Sequence, residues 1–171
     1  LAELRDQGAA YVAMEISSHA LDQHRVEGMT FDTAVFTTLS RDHLDYHGTW
    51  EQYRRDKARL FEMTAGSFRE PGDSKFAVIN ADDAFGSALL DDIPPGVAPV
   101  AYRLENEPFH TRFPAQWVIG RNLQTDMHGM QLDVVTPWGG GTLRCKLLGR
   151  FNASNLMAVL AVLMRQGLSL E

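Results

Sequence analysis

The stretch FDTAVFTTLSRDHLDYHGTWEQYRRDKARLF, residues 31–61, changes its hydrophobic period part of the way along. Residues 31–40 form a mostly apolar run rich in Phe, Val and Thr, the composition of a short buried strand. From about Trp50 to Glu62 the spacing turns helical, and Thr49 with Gln52 three residues on predicts a capping box. Strand, polar loop and helix in that order form the unit of an α/β fold. The loop, RDHLDYHG at 41–48, crowds His43 and His47 with Asp42 and Asp45. Such a cluster can ligate a transition metal. Its spacing matches no familiar zinc signature, however, and loops are often polar because they solvate their own backbone. On residue pattern alone the solvated loop is the stronger reading.

Working outward, LAELRDQG reads as a helix tail ending near Gly8, and YVAMEI (11–16) as an apolar strand ending at Glu15, with SSHAL turning out of it. SKFAVIN (74–80) is a third strand and ADDAFGSALL (81–90) a helix. The Pro-rich connection DIPPGVAP (92–99) then leads to a short strand at VAYRL (100–104). Beyond Gln116 the period becomes two: QWVIGRNLQTD, MQLDVVTP and GTLRCKLLG, separated by MHG and WGGG, predict an antiparallel meander. A last amphipathic helix runs from Asn152, read as its N-cap, to about Gln166, with Leu156, Val159, Leu160 and Leu163 as the core face and Met157 and Met164 beside it. The fold class is therefore α/β: a mostly parallel sheet flanked by helices, with a small antiparallel sheet appended and no internal repeat.

The 171 residues suit one domain, since domains usually run to roughly 100–200 residues. With 44% hydrophobic and 22% charged residues, no apolar run approaches the ~20 residues of a membrane span. A net charge of −6 without clustered Lys and Arg argues against general nucleic-acid binding, for which the pair Arg54 and Arg55 is too little. The single cysteine, Cys145, excludes an internal disulfide, fits a reducing cytoplasm and reads as strand filler. The chain opens without Met and stops soon after a helix, so it is expected to be a piece of a longer protein.

In open α/β sheets ligands gather at the carboxyl ends of the strands, where Glu15, Ser17, Ser18, His43 and Asp45 are expected. A carboxylate at the end of an apolar strand can hold Mg²⁺, which takes one or two carboxylates plus waters and phosphate oxygens; it can equally just face water. Lys57, on a helix among Arg54, Arg55, Asp56 and Arg59, carries no signal of its own. WGGGT lies between two antiparallel strands and reads as a hairpin turn, not a phosphate cradle. Asn155 is left without a structural duty.

Taken together, MEISSHALDQHRVEG (14–28), the stretch 31–61, VINADD (78–83) and LLGRFNASNLMAVLA (147–161) resemble the Mur ligases of peptidoglycan synthesis. Residues from about Pro94 to Asp126 carry no match. The resemblance implies a P-loop NTPase-like central domain. In it an ATP-derived phosphate activates a substrate carboxylate as an acyl phosphate, which an amine attacks, with Mg²⁺ neutralising charge. It implies Glu15 and His43 as metal ligands and Lys57 as a carbamylated lysine, whose anionic form would explain a lysine beside a cation. It implies Ser17, Gln23 and Arg25 as contacts to the UDP-N-acetylmuramoyl-dipeptide, Asn152 and Asn155 as residues near the adenine of ATP, and a cytoplasmic enzyme. The family's Gly-rich loop, G-T-x-G-K-T, occurs nowhere in the chain. Residues 1–171 are accordingly expected to be a partial central ATP-binding domain, lacking the N- and C-terminal domains and inactive alone, with self-association through uncovered surface. Two other readings stand beside this one: a metal-dependent phosphohydrolase using Asp42, His43, Asp45 and His47, with His19 and His24 as further candidates, and a non-catalytic interaction module.

Overall fold

Lys75–Asn80 is buried at every position, so it needs hydrogen-bonding neighbours on both edges and cover on both faces. The computed structural model, which describes residues 1–39, 44–67, 74–104 and 115–169, supplies all four. Six strands, β1 (Thr33–Phe36), β2 (Lys75–Asn80), β3 (Val97–Leu104), β4 (Gln116–Asp126), β5 (Gly129–Thr136) and β6 (Gly139–Cys145), form one sheet in chain order. The first four run parallel, and β4, β5 and β6 form an antiparallel meander. The parallel and antiparallel parts expected from the sequence thus share a strand: β4 pairs with β3 along Gln116–Gly120 and with β5 along Ile119–Asp126.

The helices are α1 (Ala2–Asp6), α2 (Ser18–Asp22), α3 (Leu44–His47), α4 (Trp50–Ala65), α5 (Ala84–Leu89) and α6 (Arg150–Arg165). Period-two alternation divides the sheet between two cores. Ala77 and Ile79 of β2 and Ala101 of β3 join Phe61 of α4 and Phe85 and Leu89 of α5 on one face. Val78, Val100, Tyr102 and Val118 meet Ala153, Met157, Leu160, Ala161 and Met164 of α6 on the other. Pro99 lies in β3 before its pairing with β4 begins at Val100, where its missing N–H costs no bond on that edge.

Several expectations need correction. Residues 11–16 form no strand: they have no ladder partner among the described residues, and Tyr11, Val12 and Met14 are 75%, 48% and 47% exposed. The apolar pattern is that of a buried strand, but a strand exists only where another backbone takes its hydrogen bonds. Helix α6 is capped at Gly149, not Asn152, and begins at Arg150. Its buried face carries Ala153, Met157, Leu160, Ala161 and Met164, while Val159 and Leu163 are 52% and 41% exposed. Alanines let the helix come close to the sheet, a geometric criterion that side-chain hydrophobicity does not rank. The capping box at α4 is half formed. Thr49 Oγ1 accepts from the Gln52 N–H at 3.1 Å, but the Gln52 amide turns forward to Asp56. The second hairpin turns at Pro137–Trp138, so the three glycines lie in β6.

Close packing makes a stability prediction. At Gly86 of α5 an added Cβ would run into the Asn80 backbone carbonyl, whereas at Gly120 of β4 it would meet only the ends of Leu104, Leu132 and Met157. Flexible ends can move and a backbone carbonyl cannot. Gly86→Ala is expected to destabilise by about 2 kcal/mol or more despite the ~1 kcal/mol gain in helix propensity, and Gly120→Ala by less. Urea denaturation midpoints check this, and equal midpoints for the two variants would refute it.

Candidate functional site

Parallel strands point their carboxyl ends at one edge, and here polar side chains tie those ends together. Asn80 Nδ2, at the end of β2, donates to the Thr37 carbonyl beyond β1 at 2.7 Å. Asp83 accepts from Thr38 Oγ1 and the Leu39 N–H through Oδ2, and from the Phe85 and Gly86 N–H groups through Oδ1, so one carboxylate caps α5 and holds the loop leaving β1. Asp82 Oδ2 accepts from the Leu104 N–H at 2.7 Å, at the end of β3. Arg150, in the first turn of α6, donates to the Leu104 carbonyl at 2.7 Å and lies 3.8 Å from Asp82. The N-terminus of α6 therefore stands over the ends of β2 and β3, with Asn152 and Asn155 on its first turns. Both are half-buried, and Asn152 Nδ2 donates to the Leu148 carbonyl at 2.9 Å. Beside this edge Leu39, Trp50, Glu51, Arg54, Asp83 and Phe85 line an open pocket of about 340 Å³.

A second polar group lies where α2 packs on α3 and α4. Ser17 caps α2, its Oγ accepting from the Ala20 N–H at 3.1 Å. Lys57 on α4 is half-buried, and loss of solvent pushes its amine below the ordinary lysine range, with the Glu15 carboxylate opposing that shift. Glu15 and Lys57 are thus within electrostatic reach of each other, although Glu15 is exposed and sits in an extended segment instead of at a strand end. Gln23 Nε2 donates to Tyr46 Oη at 2.8 Å, and Tyr46 donates to Asp22 at 2.7 Å. That acceptor raises the Tyr46 phenol, and Arg25 is near enough to act against the rise. Ser17, Gln23 and Arg25 therefore belong to one helix and its exit, and Glu15 is near enough to Lys57 to act on its charge. His43 lies outside the described residues.

His47 is not available as a ligand, contrary to the phosphohydrolase reading. It is buried, its Nδ1 lies 2.9 Å from Asp56 Oδ2, and its Nε2 lies 2.8 Å from Ser18 Oγ. His19 stacks on Tyr46 with ring centroids 3.9 Å apart, and His24 lies between Arg59 and Glu27. Among the described residues no three His, Cys, Asp or Glu side chains are grouped to hold a metal. Sequence reasoning named Ser18 and His47 separately, but not Tyr46, nor the bonding of Ser18, His47 and Asp56 to one another. Only a helical Asp one residue before Lys57 hinted at a buried partner.

Residues 1–163 match the Mur ligase middle domain. Over 172 aligned residues, covering 100% of this chain and 31% of the relative, the chain is 49% identical to the UDP-N-acetylmuramoyl-L-alanyl-D-glutamate–2,6-diaminopimelate ligase of Chromobacterium violaceum. Its identity to the ligase of the same name from Coxiella burnetii is 48%, over 95% of this chain and 31% of that one. A solved structure of a ligase of that name superposes with a TM-score of 0.77 at 34% identity, over 96% of this chain and 31% of the other. A MurF ligase from Thermotoga maritima, solved with ADP, shares the fold at a TM-score of 0.64 and 14% identity, over 91% of this chain and 32% of the other. The chain thus spans about a third of the length of the curated relatives it matches. With a family match that runs through all but its last residues, and a sheet that superposes on its relatives', the chain belongs to the Mur ligase family.

Proposed function

We propose that residues 1–171 are part of the central ATP-binding domain of a ligase that extends UDP-N-acetylmuramoyl-L-alanyl-D-glutamate by its third amino acid. By analogy with the relatives, which are named as 2,6-diaminopimelate ligases, that amino acid is 2,6-diaminopimelate. The observation that carries this reading is a desolvated Lys57, within electrostatic reach of Glu15, on the helix that follows the carboxyl end of β1. Desolvation raises the fraction of Lys57 present as the neutral amine. Its lone pair can then add to the carbon of CO₂ with loss of one proton to solvent, giving an anionic carbamate. The product has the charge that a cation site beside Glu15 calls for, where an ammonium would repel the ion. Mg²⁺, when bound, supplies neutralisation of the ATP phosphates. On this reading Ser17 retains its O–H as a donor, the Gln23 amide and Arg25 guanidinium would hold the anionic muramoyl-dipeptide, and Asn152 and Asn155 would lie near the adenine. A cytoplasmic location goes with this reading, since both proposed substrates are nucleotides; no described helix is long and apolar enough to cross a membrane.

The chain alone is proposed to lack ligase activity and to self-associate. In support, the extended segment containing Tyr11, Val12 and Met14 is apolar and exposed, and β1 is a sheet edge with only β2 as its described neighbour.

Three outcomes are expected. In the full-length protein that carries this chain, Lys57→Ala lowers the ligation rate at least about 100-fold, and a short free carboxylate restores part of it. Undiminished ligation by that variant removes Lys57 from the reaction. With lysines dimethylated by ¹³C formaldehyde, the Lys57 resonance titrates below an ordinary lysine's. A folded pKa below the unfolded one means that charging Lys57 costs stability at low pH, a cost relieved as pH rises through the folded pKa. Titration at the ordinary value would contradict the desolvated site. Sedimentation of the isolated chain at micromolar concentration shows dimers or larger species, and a strict monomer overturns the self-association.

A further inference from the structure

We infer that the buried hydrogen-bonded chain Gln52–Asp56–His47–Ser18 is a positioning device that sets the separation of Glu15 and Lys57, an inference that rests on the proposed ligase reading for its link to catalysis. Gln52 Nε2 donates to Asp56 Oδ1 at 2.9 Å, Asp56 Oδ2 meets His47 Nδ1 at 2.9 Å, and His47 Nε2 meets Ser18 Oγ at 2.8 Å. A carboxylate only accepts, so Nδ1 carries the proton. In the neutral ring Nε2 is then an acceptor, and the Ser18 O–H must donate to it. Were the ring protonated, Nε2 would donate to Ser18 Oγ instead; in either state Asp56 accepts from Nδ1 and the imidazole is held at both nitrogens.

The order Ser–His–Asp is that of a nucleophile triad, but Ser18 and Asp56 are each 1% exposed and His47 is 8% exposed. No substrate carbonyl can reach the Ser18 oxygen, so the trio cannot act as a nucleophile. Burying three polar side chains where apolar ones would pack as stably has to be explained by what their directionality specifies. Ser18 follows Ser17, which caps α2, and is three residues from Glu15; Asp56 immediately precedes Lys57. The hydrogen bonds therefore join the segment carrying Glu15 to the helix carrying Lys57. The same imidazole stacks on Tyr53, with centroids 4.9 Å apart and an interplanar angle of 12°, and the Tyr53 ring lies 6.0 Å from Lys57 Nζ. His47 thus fixes both the loop opposite the amine and the ring beside it. Ser18, His47 and Asp56 are positioning residues, acting through Glu15 and Lys57 without touching substrate.

The test uses Ser18→Ala and Asp56→Asn, singly and together, in the full-length protein. Melting curves, steady-state ligation and crystal structures are the readouts. The inference expects folded variants in which kcat falls about 10- to 100-fold while KM for ATP stays within about twofold, since a shift on the order of 1 Å at a reacting group costs that much. The double variant should lose no more than the worse single one, because both act through His47. The structures should show a changed Glu15–Lys57 separation. Folded variants with an unchanged separation overturn the inference whatever their rates, and so does failure of every variant to fold, which would make the chain a stability element only. A wild-type protein that does not ligate, with a separation that still responds to Ser18→Ala, sinks the ligase reading and leaves the positioning intact.

Discussion

A strand buried along its whole length is the constraint from which the rest follows. β2 has no face to spare for water, so parallel neighbours must take its backbone groups and helices must cover it on both sides. Covering both faces from one chain requires crossovers, and crossovers between parallel strands deliver every loop to the same edge. The convergence of Thr37–Leu39, Asn80–Asp83, Leu104 and the N-terminus of α6 at that edge is therefore a consequence of how the core is buried.

At that edge the backbone would be left with unpaired groups, and side chains complete it. Asp83 satisfies two N–H groups of α5 and one of the loop after β1, while Asn80 takes the carbonyl of Thr37. Asp82 and Asp83 are thereby committed to holding strand ends.

The two polar networks differ in kind. The strand-end network is partly exposed, and besides local caps it joins residues 43 to 46 positions apart, whereas the Ser18–His47–Asp56 chain is dry. In a medium of low polarity a hydrogen bond is stronger, and a missing partner more costly, so the dry chain is the less adjustable of the two. It is anchored three residues after Glu15, at Ser18, and one residue before Lys57, at Asp56.

Composition and period were enough to place β2, β3, the meander and both long helices, because each is an element whose burial follows its own residue pattern. Glu15, Ser17, Gln23, Arg25, Lys57, Asn152 and Asn155 were singled out through a resemblance of joint motifs; no single residue's surroundings could be read from the chain alone. The pattern misled where a partner decided the outcome. YVAMEI has a strand's composition without a described neighbour to pair with, and α6 turns its alanines instead of Val159 and Leu163 toward the sheet. His47 is the clearest case. By sequence it belongs to a polar loop beside His43, yet α2 and α4 close over it and convert a candidate ligand into a buried link. Local pattern determines which elements form, since propensity and periodicity act over a few residues. Which polar groups lose their water is decided only when distant elements pack, because desolvation depends on everything that surrounds a group in space.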